Sequence, residues 1–236
     1  MAGELFRQGT LEMSATPVGD PAAAAAWGEI LSNQILAVLA VGLLVVSLPD
    51  FFRLLPDLLF SFDRTRGAAA LEHSVGQART RNLIALCCVL PFCLMADRYA
   101  LWRPGLWQAV PAAWSAPAAL AGMAAFLLVR EFFFLVARPR RLGKEESDTL
   151  HHAPYNFFIL LTLLMLSSVG ILTLVRAGEG FIRTLLLWEA AVVWLLAILR
   201  SGQFLSAFCN VFSTFLYLCA LEMIPAALMV GAHLFI

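Results

Sequence analysis

Six stretches of this chain are long, apolar and nearly free of charge: 30–48, 82–97, 112–137, 153–175, 184–199 and 211–235. A helix needs about 20 such residues to cross the hydrocarbon core of a bilayer, with a working range of about 17 to 25. Within lipid, a lone segment can satisfy its own backbone hydrogen bonds only as a helix. The pattern therefore predicts an all-α fold, a polytopic transmembrane helical bundle of about six spans. Composition agrees, because 61% of the 236 residues are hydrophobic and only 14% are charged, too apolar for a soluble domain. The loops leave nothing outside the bilayer large enough to fold alone. Residues 1–236 thus read as a single integral membrane domain with an N-terminal tail over 1–28.

The second stretch is the weakest, since Arg81 and Asp97 crowd its two ends. A count of five spans, with this stretch re-entrant or interfacial, is the competing reading. Between the first and second stretches lies SLPDFFRLLPDLLFSFDRTR, in which Leu-Pro-Asp occurs at 48–50 and again at 55–57. Its phenylalanines and leucines are too apolar for a free loop. They predict an interfacial helix on the cytoplasmic face after the first span, with a simple extension of that span past a proline kink as the alternative. The connection RPRRLGKEESDTLHH reads as an ordinary solvated loop.

Threading follows from lysine and arginine. Alternate loops place Arg53, Arg64, Arg66, Arg79, Arg81, Arg138, Arg140, Arg141, Lys144 and Arg200 on one side, and Arg7, Arg98, Arg103, Arg176 and Arg183 on the other. The richer side is expected to be cytoplasmic, which puts both termini outside. The N-terminus lacks the basic run and short apolar core of a cleaved signal peptide, so the first stretch reads as a retained span.

Charge inside the spans is the main lead to function, because an ionised side chain at membrane depth costs a few kcal/mol (~3) and is kept for a partner or a task. Glu189 and Glu222 are the acids well inside predicted spans. Counted from the predicted span ends, Glu189 lies about 9 Å below the outer end and Glu222 about 17 Å above the inner end, a difference in height of about 10 Å. Two such acids suit a proton or cation relay, and each equally suits an ion pair within the bundle. Arg130, at the cytoplasmic end of the third stretch, is the expected partner. Adjacent Glu131 points about 100° away on a helix and need not neutralise it. Pro225 cannot donate a backbone hydrogen bond, which frees the Leu221 carbonyl beside Glu222.

Other chemistry finds little footing. Sixteen basic and sixteen acidic residues balance, so nothing argues for nucleic acid as a partner. The five cysteines show no CxxC pair and read as small buried hydrophobes. His73, His151, His152 and His233 do not face one another inside spans as a haem site requires. No metal ligand set, cofactor site or nucleophile motif is present.

The segment from Arg200 through FLYLCALEMIPAALM resembles an uncharacterised family of multi-spanning inner-membrane proteins, a domain of unknown function of the Bacteroidota type. Arg200, Phe215, Leu216, Tyr217, Leu218, Cys219, Leu221, Glu222 and Pro225 carry the likeness, with Tyr155, Asn156 and Phe157 in support. The resemblance implies a bacterial inner-membrane location, hence periplasmic termini, and adds Arg200 and Asn156 to Glu189, Glu222 and Arg130 as intramembrane polar or ion-pathway candidates. It implies no reaction. The expected function is a non-enzymatic membrane subunit or scaffold of an envelope complex. Its partners would be the lipid bilayer and either other membrane subunits or further copies of itself. A small transporter or ion pathway using the two acids is the alternative, and an intramembrane lipid-modifying enzyme is a third reading.

Overall fold

A computed structural model describes residues 27–60, 75–102, 110–136, 144–208 and 210–224, together with the single positions 227 and 231. All regular structure among these residues is helical: α1 (Leu31–Phe60), α2 (Val75–Arg98), α3 (Ser115–Val136), α4 (Lys144–Leu174), α5 (Glu179–Phe208) and α6 (Val211–Leu218). Short 3-10 turns at Trp27–Glu29 and Ala112–Trp114 lead into α1 and α3. Within α1 to α5, the stretches Leu31–Leu54, Arg79–Arg98, Ala112–Val136, Pro154–Leu174 and Glu179–Gln203 are long and apolar enough to cross a membrane. The protein is a multi-pass, all-helical membrane bundle. The sixth expected span is described only as far as Ile224, apart from helical positions at 227 and 231.

The least apolar span is the one most enclosed by protein. In α2, 61% of the most apolar stretch is buried, against at most 22% in the other four. Lipid demands an apolar surface, whereas a helix surrounded by other helices can carry small and polar side chains. Three buried clusters surround α2. Ile84, Ala85 and Cys88 pack with Leu54 of α1 and Ile159 of α4. Leu90 and Leu94 pack with Ala40 of α1 and Ala116 of α3. Met95, with Tyr99 just beyond the helix, packs with Met165 of α4 and with Ile182 and Leu186 of α5. The remaining contacts close a cycle: α2 packs on α4, α4 on α5, α5 on α6, and the end of α6 on α3, which returns to α2. The re-entrant alternative for the second stretch is replaced by a continuous 24-residue helix that runs through Pro91.

Four helices run further than expected, α2 among them, which begins at Val75 and not near 82. Residues 51–60 form no separate interfacial helix, because α1 continues through Pro49. Proline is tolerated in a membrane helix where neighbouring groups take up the freed carbonyls. Here burial of Leu54 to 3% exposure draws the extension past Pro49 into the core, while the Ser47 hydroxyl donates separately to the Leu44 carbonyl at 3.1 Å. The expected loop KEESDTLHH is the first part of α4. Likewise α5 begins at Glu179 and ends at Phe208, absorbing the polar lead-in expected before the sixth span.

Two helix ends turn on left-handed residues that are not glycine. Ala100 has φ 48 and Arg176 has φ 56. Leu101 N–H donates to the Ala96 carbonyl at 2.9 Å, and Ala177 N–H to that of Leu172 at 2.9 Å, the bonding of a Schellman cap. Both caps lie at one end of the bundle. That end is the Asp97 end below, and the opposite one is the basic end.

Between α5 and α6 the chain reverses at Asn210, which has extended backbone (φ −65, ψ 153). Gly202 permits the close return, since a methyl group there would come within 3.2 Å of Leu218 Cδ1. After Leu218, residues Cys219–Met223 widen into a π turn. Pro225 follows in the sequence, and its ring would clash with the Leu221 carbonyl of a regular α-helix.

Candidate functional site

Among the described residues, the buried charged side chains fall into two layers, one at each end of the bundle, with the buried Ser47 and Thr162 hydroxyls and the Ser168–Glu189 pair between them. At the Asp97 end, Asp97 is 6% exposed and accepts hydrogen bonds from Trp27 Nε1 at 2.6 Å and Ser115 Oγ at 3.0 Å. One carboxylate thus ties the entry to α1, the end of α2 and the start of α3. The adjacent Arg98 guanidinium lies 5.5 Å from the centre of the Trp27 ring and pairs with Glu179 of α5 at 3.3 Å. Asn33, fully buried, donates through Nδ2 to the Trp27 carbonyl at 3.1 Å, and Gln34 donates to that of Gly28 at 2.8 Å. Sequence reasoning missed this layer because Asp97 reads as a span boundary and its partners lie far away along the chain.

The basic end holds the second layer. Arg81 of α2 is 2% exposed and Arg130 of α3 is 9% exposed; Ser201 of α5 and Thr214 of α6 are also buried. Arg130 Nη1 lies 3.9 Å from Glu131 Oε1, and its Cζ sits 5.7 Å from the centre of the Tyr155 ring on α4. The Tyr155 hydroxyl donates to Glu131 Oε1 at 3.4 Å. Although adjacent helical positions point about 100° apart and the two groups need not pair, the long side chains of Arg130 and Glu131 reach the same polar spot. Next to Tyr155, Asn156 Oδ1 is buried without a hydrogen-bond partner among the described residues. Arg200 donates to Gln203 Oε1 one turn along its own helix at 3.2 Å.

Between these layers, Ser47 and Thr162 bond to carbonyls of their own helices. Glu189 lies about 15 Å from the start of α5, deeper than the 9 Å expected, because the helix begins at Glu179 and not near 184. Its side chain leans toward the N-terminus of its helix, where Ser168 of α4 donates a hydrogen bond to Oε1. Among the described residues, Glu189 Oε2 has no hydrogen-bond partner.

The side chain of Glu222 lies outside the described residues, and so does its expected pairing with Arg130. Its backbone belongs to the π turn that packs on α3. The Gly202–Leu218 approach sets the register of α5 against α6 and puts Glu222 level with Ile198. Its backbone there stands about 13 Å along the axis from that of Glu189.

Four cysteines are described, all as free thiols; Cys88 and Cys93 are buried, and Cys87 and Cys219 are half-buried. Comparison with protein families, with curated proteins and with solved structures returns no match.

Proposed function

We propose that this protein is a non-enzymatic structural subunit of a membrane complex, a helical scaffold in a bacterial inner membrane with its basic end toward the cytoplasm. The observation that carries the reading is that the charged side chains under 10% exposed lie in two end layers, Asp97 at one end and Arg81 and Arg130 at the other. Asp97 joins helices at one end, and Arg130, Glu131 and Tyr155 join them at the other. The described middle offers no continuous row of polar groups along which an ion could move. The location follows from the lysine and arginine distribution and from the C-terminal resemblance around Arg200, Tyr217 and Glu222.

A second reading, a proton or cation pathway, rests on one observation: the buried Glu189 oxygen without a partner among the described residues. Reconstitution into sealed vesicles under an imposed proton, sodium or potassium gradient separates the two. The scaffold reading expects fluxes equal to those of empty vesicles. Flux above that background, abolished by Glu189→Gln in a variant that still folds, would replace the scaffold with the pathway.

A further inference from the structure

We propose that two copies of this chain pair side by side through the outward face of α5, in a parallel two-fold dimer joined by hydrogen bonds between Trp188 and Thr184. The opposite side of α5 is taken up by α4, where Ile182 and Leu186 pack with Met165 and Glu189 accepts from Ser168. The outward side carries a row at alternating spacings of three and four residues: Phe181, Thr184, Trp188, Ala191 and Leu195. All five are exposed, Trp188 to 67%. That spacing is the seam of two helices wound around each other. Bulky and small residues alternate along it, so Phe181, Trp188 and Leu195 of one copy have room over Thr184 and Ala191 of the other.

Lipid covers most apolar faces of a membrane helix, but two polar groups in this row fit a second copy better. The Trp188 indole N–H meets no acceptor among the described residues, and lipid tails supply none. A helical side chain leans over the turn before it, which carries the indole back to the level of Thr184, about 8 Å past the start of α5. The Thr184 hydroxyl donates to the Gly180 carbonyl at 2.9 Å, and its oxygen keeps lone pairs for a further donor. Copies threaded the same way are related by an axis along the membrane normal, which puts residues of equal number at equal depth. Trp188 of each copy then donates to Thr184 of the other, so one face supplies both halves of two identical bonds.

The test follows dimerisation of the full chain, labelled with donor and acceptor dyes, by energy transfer on dilution in vesicles of phosphatidylcholine and phosphatidylglycerol. The parent is expected to lose energy transfer as lipid is added, along a monomer–dimer curve. Trp188→Phe and Thr184→Val should each weaken the dimer about tenfold, because each removes both symmetry-related bonds. The double variant should be little weaker than either alone. Ala191→Ile, which fills the close approach, should leave monomer. Trp194→Leu, about a quarter turn from the row, should change nothing. All these positions lie outside the buried core, so each variant should melt with the parent. The pairing names a partner for the scaffold and rests on that reading, yet the two fail separately: ion flux from a dimeric parent removes only the scaffold, and a monomeric parent without flux removes only the dimer. Dimerisation unchanged by Ala191→Ile or by Trp188→Phe, or lost equally in Trp194→Leu, would also overturn the proposal.

Discussion

Replacing Asp97 with alanine should be among the most damaging single changes at either end of the bundle. The carboxylate accepts from Trp27 Nε1 at 2.6 Å and from Ser115 Oγ at 3.0 Å, at 6% exposure. A hydrogen bond to a charged group contributes about 1.5–3 kcal/mol. The Trp27 N–H loses its acceptor outright and should cost that amount. Ser115 keeps a fallback, because its hydroxyl also reaches the Ala112 carbonyl at 3.0 Å, so its loss should be nearer 1 kcal/mol. The sum is about 2.5–4 kcal/mol for Asp97→Ala. Asp97→Asn, which keeps a neutral acceptor, should cost roughly half of that. Trp27→Phe deletes the N–H and keeps a ring for Arg98 to stack on, and should cost about 1.5–3 kcal/mol alone. The assay is reversible unfolding in mixed micelles, with both single variants and the double variant closing a thermodynamic cycle. A coupling of at least about 1.5 kcal/mol between the two positions is expected. Strictly additive losses, within about 0.5 kcal/mol, would refute the idea that Asp97 acts through Trp27.

Three further outcomes follow from local geometry. Ala100→Gly should raise stability by about 1 kcal/mol, because the left-handed conformation at φ 48 penalises a β-carbon and not a glycine; a melting temperature at or below that of the parent would contradict this. Gly202→Val should splay α5 from α6 and cost about 1–3 kcal/mol, with partial recovery when Leu218→Ala makes room across the contact. Ser168→Ala should cost about 1.5–3 kcal/mol by leaving Glu189 without its donor, whereas the pair Ser168→Ala with Glu189→Leu should return close to the parent, since removing both partners of a buried polar pair is nearly neutral. Failure of that double variant to recover, measured by the same unfolding assay, would mean that Glu189 has a further partner.

The long apolar runs made the helical class and the approximate span positions readable from sequence, because lipid imposes apolarity on any helix that faces it. Helix ends were harder to place. Glu179 and Lys144 look like loop by composition and the residues beyond Pro49 look like a separate interfacial helix, yet all belong to longer helices, since charged residues and proline are both compatible with helix in the right position. The rank order of the spans misled most. The stretch that reads as the weakest span is the one enclosed by α1, α3 and α4, where protein takes the place of lipid. Glu189 was visible as a buried acid, but its depth depended on a helix start that the sequence does not mark. Asp97, Arg81, Ser201 and Thr214 do not read as site residues because each stands at a span margin, where polar residues are commonplace. Arg130 was recognised as buried and important, but its association with Glu131 and Tyr155 depends on side-chain packing that spacing alone does not convey.

The placement of α2 also bears on how the chain enters the membrane. A segment with two arginines near its start, Asp97 and Arg98 at its end and the least apolar body of the five has the smallest tendency to partition into lipid unaided, and most of its apolar stretch is destined to touch protein. Of the helices that enclose α2, α1 is made before it, and α3 and α4 are made later. The insertion machinery must therefore shelter α2 until its neighbours arrive. A nascent chain halted after residue 102 should leave this helix extractable by alkali, and one extended past residue 174 should not.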